Sequence, residues 1–187
     1  KFIFKHNGNV RFSVSDPNIS AEEARLKCEY GHINSITAIG FSTKNKNTGE
    51  GNKIGKFGVG FKAIFQYTDS PYIYDYNIDF RLDKVIVPTL LTDKKYSEKG
   101  KSVFVLPFNS SKVSAEKCYK DIFSKIKSLE HPTLFLNNLK RISWKVGNEK
   151  GAFECKTSDS YLFDDIRSEK IAVTDCDKKS SLWLFTR

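Results

Sequence analysis

Five of the eleven glycines in this 187-residue chain fall between positions 49 and 60: Gly49, Gly51, Gly55, Gly58 and Gly60. Such crowding raises the entropy cost of folding, so the fold has to reward it. Close approach of bare backbone to a ligand is one reward, above all to phosphate, whose charge is met by free N–H groups at a helix start. Lys44, Lys53, Lys56 and Lys62 flank the segment and supply positive charge. The same composition also describes a flexible surface loop closed by a helix start. Spacing then separates the phosphate motifs. A P-loop needs Gly-Lys followed by Ser or Thr, whereas Gly55-Lys56 precedes Phe57. Gly49-x-Gly51 reaches its next glycine at Gly55, one residue late for a kinase loop. Gly58-Val59-Gly60-Phe61-Lys62-Ala63 matches a dinucleotide fingerprint, yet the polar residues 48–56 ahead of it are not the buried strand that fingerprint requires. What remains is Gly55-x-x-Gly58-x-Gly60, behind a long polar loop and opening a helix-spaced apolar run, Val59, Phe61, Ile64 and Phe65.

Composition bounds the rest. With 15 Phe, 8 Tyr and 39% hydrophobic residues, the chain can build a core and is not a disordered segment. Its net charge of +9 suits an anionic partner without choosing one. The charge comes from lysine more than arginine, and arginine is the preferred reader of base edges, so nucleic-acid binding is possible but not favoured. No apolar run approaches the roughly 20 residues of a membrane-spanning helix, so no membrane partner is expected. Cys28, Cys118, Cys155 and Cys176 are far apart without metal spacing, which suits reduced thiols and a cytoplasmic location. His6, His32 and His131 are equally scattered, so no zinc site is expected. The chain has no Met and opens at Lys1, the pattern of a piece of a longer protein.

Periodicity predicts a strand over residues 2–4, a turn at His6-Asn7-Gly8-Asn9 and a second strand over 10–14. Ser20-Ala21-Glu22-Glu23 has the form of a capping box, opening a helix that Gly31 closes. A second helical stretch covers 33–39, and a third helix starts near Gly58 and ends at Asp69-Ser70-Pro71. Residues 72–108 alternate as strands, with Tyr72, Tyr74 and Tyr76 on one row. A longer helix fits 114–129, with Cys118, Ile122, Phe123, Ile126 and Leu129 as its apolar stripe. Strands follow at 142–146, 152–155, 161–163, 171–173 and 182–185.

Ile54-Gly55-Lys56-Phe57-Gly58-Val59-Gly60-Phe61 resembles the glycine box of the GHKL ATPases, the superfamily of the ninety-kilodalton heat-shock chaperone, gyrase B, MutL and the histidine kinases. Ile39-Gly40-Phe41-Ser42-Thr43-Lys44, Thr68-Asp69-Ser70-Pro71, Gly100-Lys101-Ser102-Val103-Phe104-Val105-Leu106-Pro107 and Leu134-Phe135-Leu136-Asn137-Asn138-Leu139 are similar to the sacsin-type and related bacterial members. The resemblance implies an α+β fold of Bergerat type. This is a two-layer α/β sandwich with a mixed, mainly antiparallel sheet and helices on one face, over residues 1–147, with a β-rich extension or the start of a following domain over 148–187. It implies binding of ATP or ADP with Mg2+, lid closure and hydrolysis in the intact protein, and contact with other domains or a second copy. Position by position, it places Gly55, Lys56, Phe57, Gly58, Val59, Gly60 and Phe61 at the phosphates. Residues 45–53 become the lid, with Ser42, Thr43 and Lys44 at its entrance.

His6-Asn7-Gly8 falls where the family's Asp-x-Gly box reads the adenine amino group, and Ser102 where a Thr assists that Asp. This chain has His6 for the Asp and Val10 for the box's second glycine. A neutral His can accept from an adenine amine, and guanine stays open. The family's water-activating Glu and magnesium-binding Asn belong on a helix upstream of the first strand. No Glu-x-x-x-Asn appears within these residues, so no catalytic residue is assigned and this segment alone is not expected to hydrolyse ATP. Two other readings remain: a degenerate nucleotide fold serving as an interaction module, and a non-specific nucleic-acid binder.

Overall fold

The computed structural model describes residues 1–27, 29–38, 60–134, 136, 138–163, 166–176 and 180–186. They mix α and β structure, and every strand pair among them is antiparallel. The chain forms two compact units, Lys1–Lys120 and Asp121–Arg187.

The first unit holds β1 (Phe2–His6), α1 (Ala21–Leu26), α2 (His32–Thr37), a 3-10 helix at Phe61–Gln66, β2 (Tyr72–Tyr74), β3 (Asp79–Asp83), β4 (Val87–Leu90) and β5 (Ser102–Leu106). Its sheet runs β1-β5-β2-β3-β4. Side chains alternate across a strand, so register assigns the two faces. Phe4 lies opposite Phe104, which lies opposite Ile73, which lies opposite Phe80. That face buries Ile73, Phe80 and Leu82 with Ile33, and Phe12, Ile36, Phe61 and Phe65 pack against them. Each fully buried side chain of this size contributes about 1.5–3 kcal/mol. The other face buries Tyr74, Val103 and Val105 against Ile3, Tyr72, Leu91 and Tyr96. The tyrosine row therefore packs a sheet face at Tyr72 and Tyr74, while Tyr76 lies beyond the strand at φ +60° and is exposed.

Ser20 caps α1 as its position predicts, accepting from the Glu23 N–H at 3.1 Å. The Glu23 carboxylate turns instead to Lys27 at 2.7 Å, so only half of the capping box forms. Residues 10–14 are not a strand. Their partners lie elsewhere: the Phe12 N–H donates to Asp75, and the Ser13 carbonyl accepts from the Ile33 N–H at 3.0 Å. This segment crosses the sheet face, where the Phe12 ring meets Phe80 and Phe104 at 5.4 and 6.1 Å. The third helix is a 3-10 helix from Phe61, with i→i+3 bonds such as Tyr67 N–H to Ile64 O at 2.9 Å.

The division between units falls inside α3 (Ala115–Lys127). Within its stripe Cys118 is buried and Ile122, Phe123 and Ile126 are half-buried, but Leu129 lies past the helix end and is exposed. The second unit is a meander of β6 (Arg141–Val146), β7 (Glu149–Phe163), β8 (Ile166–Thr174) and β9 (Ser180–Thr186), in that order. The C-terminal part is thus β-rich, with β7 a single 15-residue strand where the sequence pattern shows two short ones. The alternation fades where the ladder shifts register between Thr157 and Asp159. The boundary read at 147/148 falls in the β6–β7 turn, where Gly147 takes φ +57°. Leu134, Cys155, Ile171 and Val173 form this unit's core. Cys118, Cys155 and Cys176 are free thiols, while Cys28 lies outside the described residues.

Candidate functional site

Of the residues assigned from sequence, Ser42, Thr43, Lys44, Gly55, Lys56, Phe57, Gly58 and Val59 lie outside the described residues, as do 45–53. His6, Asn7, Gly8, Gly60, Phe61 and Ser102 are described. The structure gathers four of them. His6 ends β1 and Ser102 begins β5, and the two are direct register partners, so their side chains leave the same face at one end of the sheet. The His6 ring stacks on Phe104 at 5.9 Å and 28°. Phe61, which follows the last glycine of the box, reaches the same ring at 6.3 Å. Gly8 turns back over the end of β1, and its N–H donates to His6 Nδ1 at 3.2 Å. A Cβ on Gly8 would lie 3.1 Å from that nitrogen, so the turn favours glycine there. Asn7 and Gly60 are exposed. Lys62 is spent locally, donating to the Ala38 carbonyl at 2.7 Å.

Two residues that the sequence reading passed over complete the corner. Asp75, just past β2, is fully buried. Its Oδ2 accepts from the Phe12 N–H at 2.5 Å, and its Oδ1 accepts from the Ser102 hydroxyl. Arg11 Nη1 donates to Ser102 Oγ at 3.1 Å and lies 3.5 Å from Asp75 Oδ1, with its side chain 22% exposed. The Asp75 N–H in turn donates to Asp79, itself paired with Lys94 at 2.9 Å. The signal for Asp75 was its place two residues after inward-facing Ile73, a charge at a core phase of the alternation. Arg11 carried no such signal, because residues 10–14 read as a strand. Burial lowers the His6 pKa; the Asp75 carboxylate opposes this and the Arg11 guanidinium adds to it. The corner can therefore hold a neutral imidazole beside a guanidinium, above an aromatic floor.

Among the described residues no group of three His, Cys, Asp or Glu side chains could hold a metal ion, and no helix is long and apolar enough to cross a membrane. Comparison with known protein families, curated proteins and solved structures finds no match to this chain.

Proposed function

We propose that this chain carries a nucleotide-binding domain of the GHKL type, an ATP-binding part of a larger ATPase with a two-layer α/β sandwich. The observation that supports it most is the pairing of His6 with Ser102. The resemblance assigns these two residues, 96 positions apart in the chain, to one base subsite, and they lie side by side on adjacent strands. Phe61 brings the end of the glycine box to the same aromatic floor. In this reading the backbone N–H groups of residues 55–61 receive the phosphates, with Lys44 and Lys56 adding charge. Mg2+ supplies charge neutralisation at the phosphates when bound. Residues 45–53 close over the nucleotide and dock the domain on another domain or a second copy. Hydrolysis belongs to the intact protein. The test is titration calorimetry of the 187-residue chain with Mg2+ and a non-hydrolysable ATP analogue. Saturable heat at micromolar to sub-millimolar nucleotide is the expected result, and no binding at millimolar nucleotide overturns the reading.

One observation favours a second reading, a nucleotide fold kept as an interaction module. The Asp75 carboxylate at the base corner is buried and engaged by Phe12, Ser102 and Arg11. In that case the same titration shows no heat while the domain remains folded.

A further inference from the structure

The polarity of the base corner follows from where each proton and lone pair is already committed. A neutral imidazole has one donor nitrogen and one acceptor nitrogen. The Gly8 N–H donates to His6 Nδ1 at 3.2 Å, so Nδ1 is the acceptor and the ring proton sits on Nε2. Burial favours this neutral form. Among the described residues Nε2 makes no hydrogen bond, and the residue is half-buried. The Asp75 and Ser102 acceptors beside it are buried and already engaged. Asp75 takes the Phe12 N–H on one oxygen and the Ser102 hydroxyl proton on the other. Ser102 Oγ, having given its proton to Asp75, accepts from Arg11 Nη1 at 3.1 Å. Arg11 keeps further N–H groups on a partly exposed guanidinium, which has donors only. Within the cluster of His6, Arg11, Asp75 and Ser102, the groups left for a base are thus N–H donors: His6 Nε2 and the remaining face of Arg11.

An Asp at the His6 position would present the opposite polarity and receive the adenine 6-amino group. Here that amino group would meet a donor, and a donor left unsatisfied on desolvation is costly. A 6-oxo purine offers O6 beside N7, two acceptors on one edge, the pair that N–H donors such as an arginine fork read. Resting on the nucleotide-binding reading above, we propose that this corner reads a purine through its acceptors and takes 6-oxo purine nucleotides, guanosine or inosine triphosphate, at least as well as ATP. His6 is the specificity-determining residue, and Gly8 fixes its tautomer.

The experiment compares non-hydrolysable ATP and GTP analogues, and inosine triphosphate, on the 187-residue chain by titration calorimetry with Mg2+. The expected result is a Kd for the 6-oxo nucleotides equal to or below that for the ATP analogue. His6→Asp should move the ratio toward ATP by at least tenfold. Long-range 15N–1H spectra of the free protein should show His6 protonated on Nε2. Tighter binding of the ATP analogue by the wild-type chain, or a proton on Nδ1, overturns the proposal and leaves nucleotide binding standing. If none of the three nucleotides binds, the nucleotide-binding reading itself falls and this inference falls with it. The wild-type ratio and the tautomer decide the matter even where His6→Asp does not fold.

Discussion

Asp75 shows how a single side chain organises the candidate site. Its carboxylate is fully buried, and it ties the irregular segment at Phe12 to the start of β5 at Ser102 and to Arg11. Asp75→Ala would strand the Phe12 N–H and the Arg11 guanidinium, and removing one partner of a buried charge pair costs about 3 kcal/mol or more. Urea unfolding should show that loss, with Asp75→Asn milder because its amide oxygen can still accept from Phe12. His6 makes a separate prediction on pH. Its pKa in the folded chain lies below the ordinary value of 6.5, chiefly through burial and against the attraction of Asp75. As pH falls through 6.5 the unfolded chain takes up its proton first, so stability drops as pH goes from 6.5 toward the folded value. Above 6.5 this contribution is intact. Denaturant midpoints measured from pH 8 to 5 should fall more steeply for the wild type than for His6→Gln. At this scale the resemblance names Gly8 and Ser102 as candidates. Asp75 shows only as a charge at a core phase and Arg11 not at all, because their roles come from partners 27 to 91 positions away.

At the scale of elements, local chemistry and packing divide the work. Ser20 at the start of α1 is a local signal, and its hydroxyl bond to Glu23 forms as the residue types alone require. α2 is different. Its cap, Gly31, sits where a Cβ would come within 2.5 Å of the Val14 carbonyl carbon and 2.7 Å of Asn34 Oδ1. The glycine lets the 10–15 segment pass directly over the helix start, where Ser15 Oγ accepts from the Gly31 N–H at 2.9 Å. Gly31→Ala should cost about 1–3 kcal/mol by forcing those backbones apart. It should also loosen Phe12 from the sheet, which differential scanning calorimetry would register as a lower Tm. The same close passage explains why residues 10–14 read as a strand and are not one. Alternating apolar residues fit a strand, but here Phe12 faces the core while its backbone is satisfied by Asp75. β7 errs the other way. Its bulge near Thr157 breaks the period of two, so the sequence shows two fragments of one long strand.

For the whole molecule, His6, Arg11, Phe61, Asp75 and Ser102 all belong to the unit Lys1–Lys120. On the nucleotide-binding proposal, ligand should raise hydrogen-exchange protection in β1, β5 and the residues around Phe12 and Phe61, leaving β7 and β8 unchanged. Protection gained equally in β7 and β8 would contradict that assignment. A ligand at a hundred times its Kd adds about 2.7 kcal/mol to the fold that binds it, enough to be read as a Tm shift.

By itself the sequence determined where glycine and charge crowd together, which short runs are apolar, where α1 is capped and that the C-terminal part is β-rich, because these depend on residue types within a few positions of one another. The tertiary structure decided which residues meet. Antiparallel pairing of β1 with β5 sets His6 beside Ser102, and the crossing of residues 10–14 brings Arg11 to Asp75. Register and buried charge are properties of pairs distant in the chain. They arise only when the sheet closes, which is why the resemblance names His6 and Ser102 separately and only the fold sets them side by side.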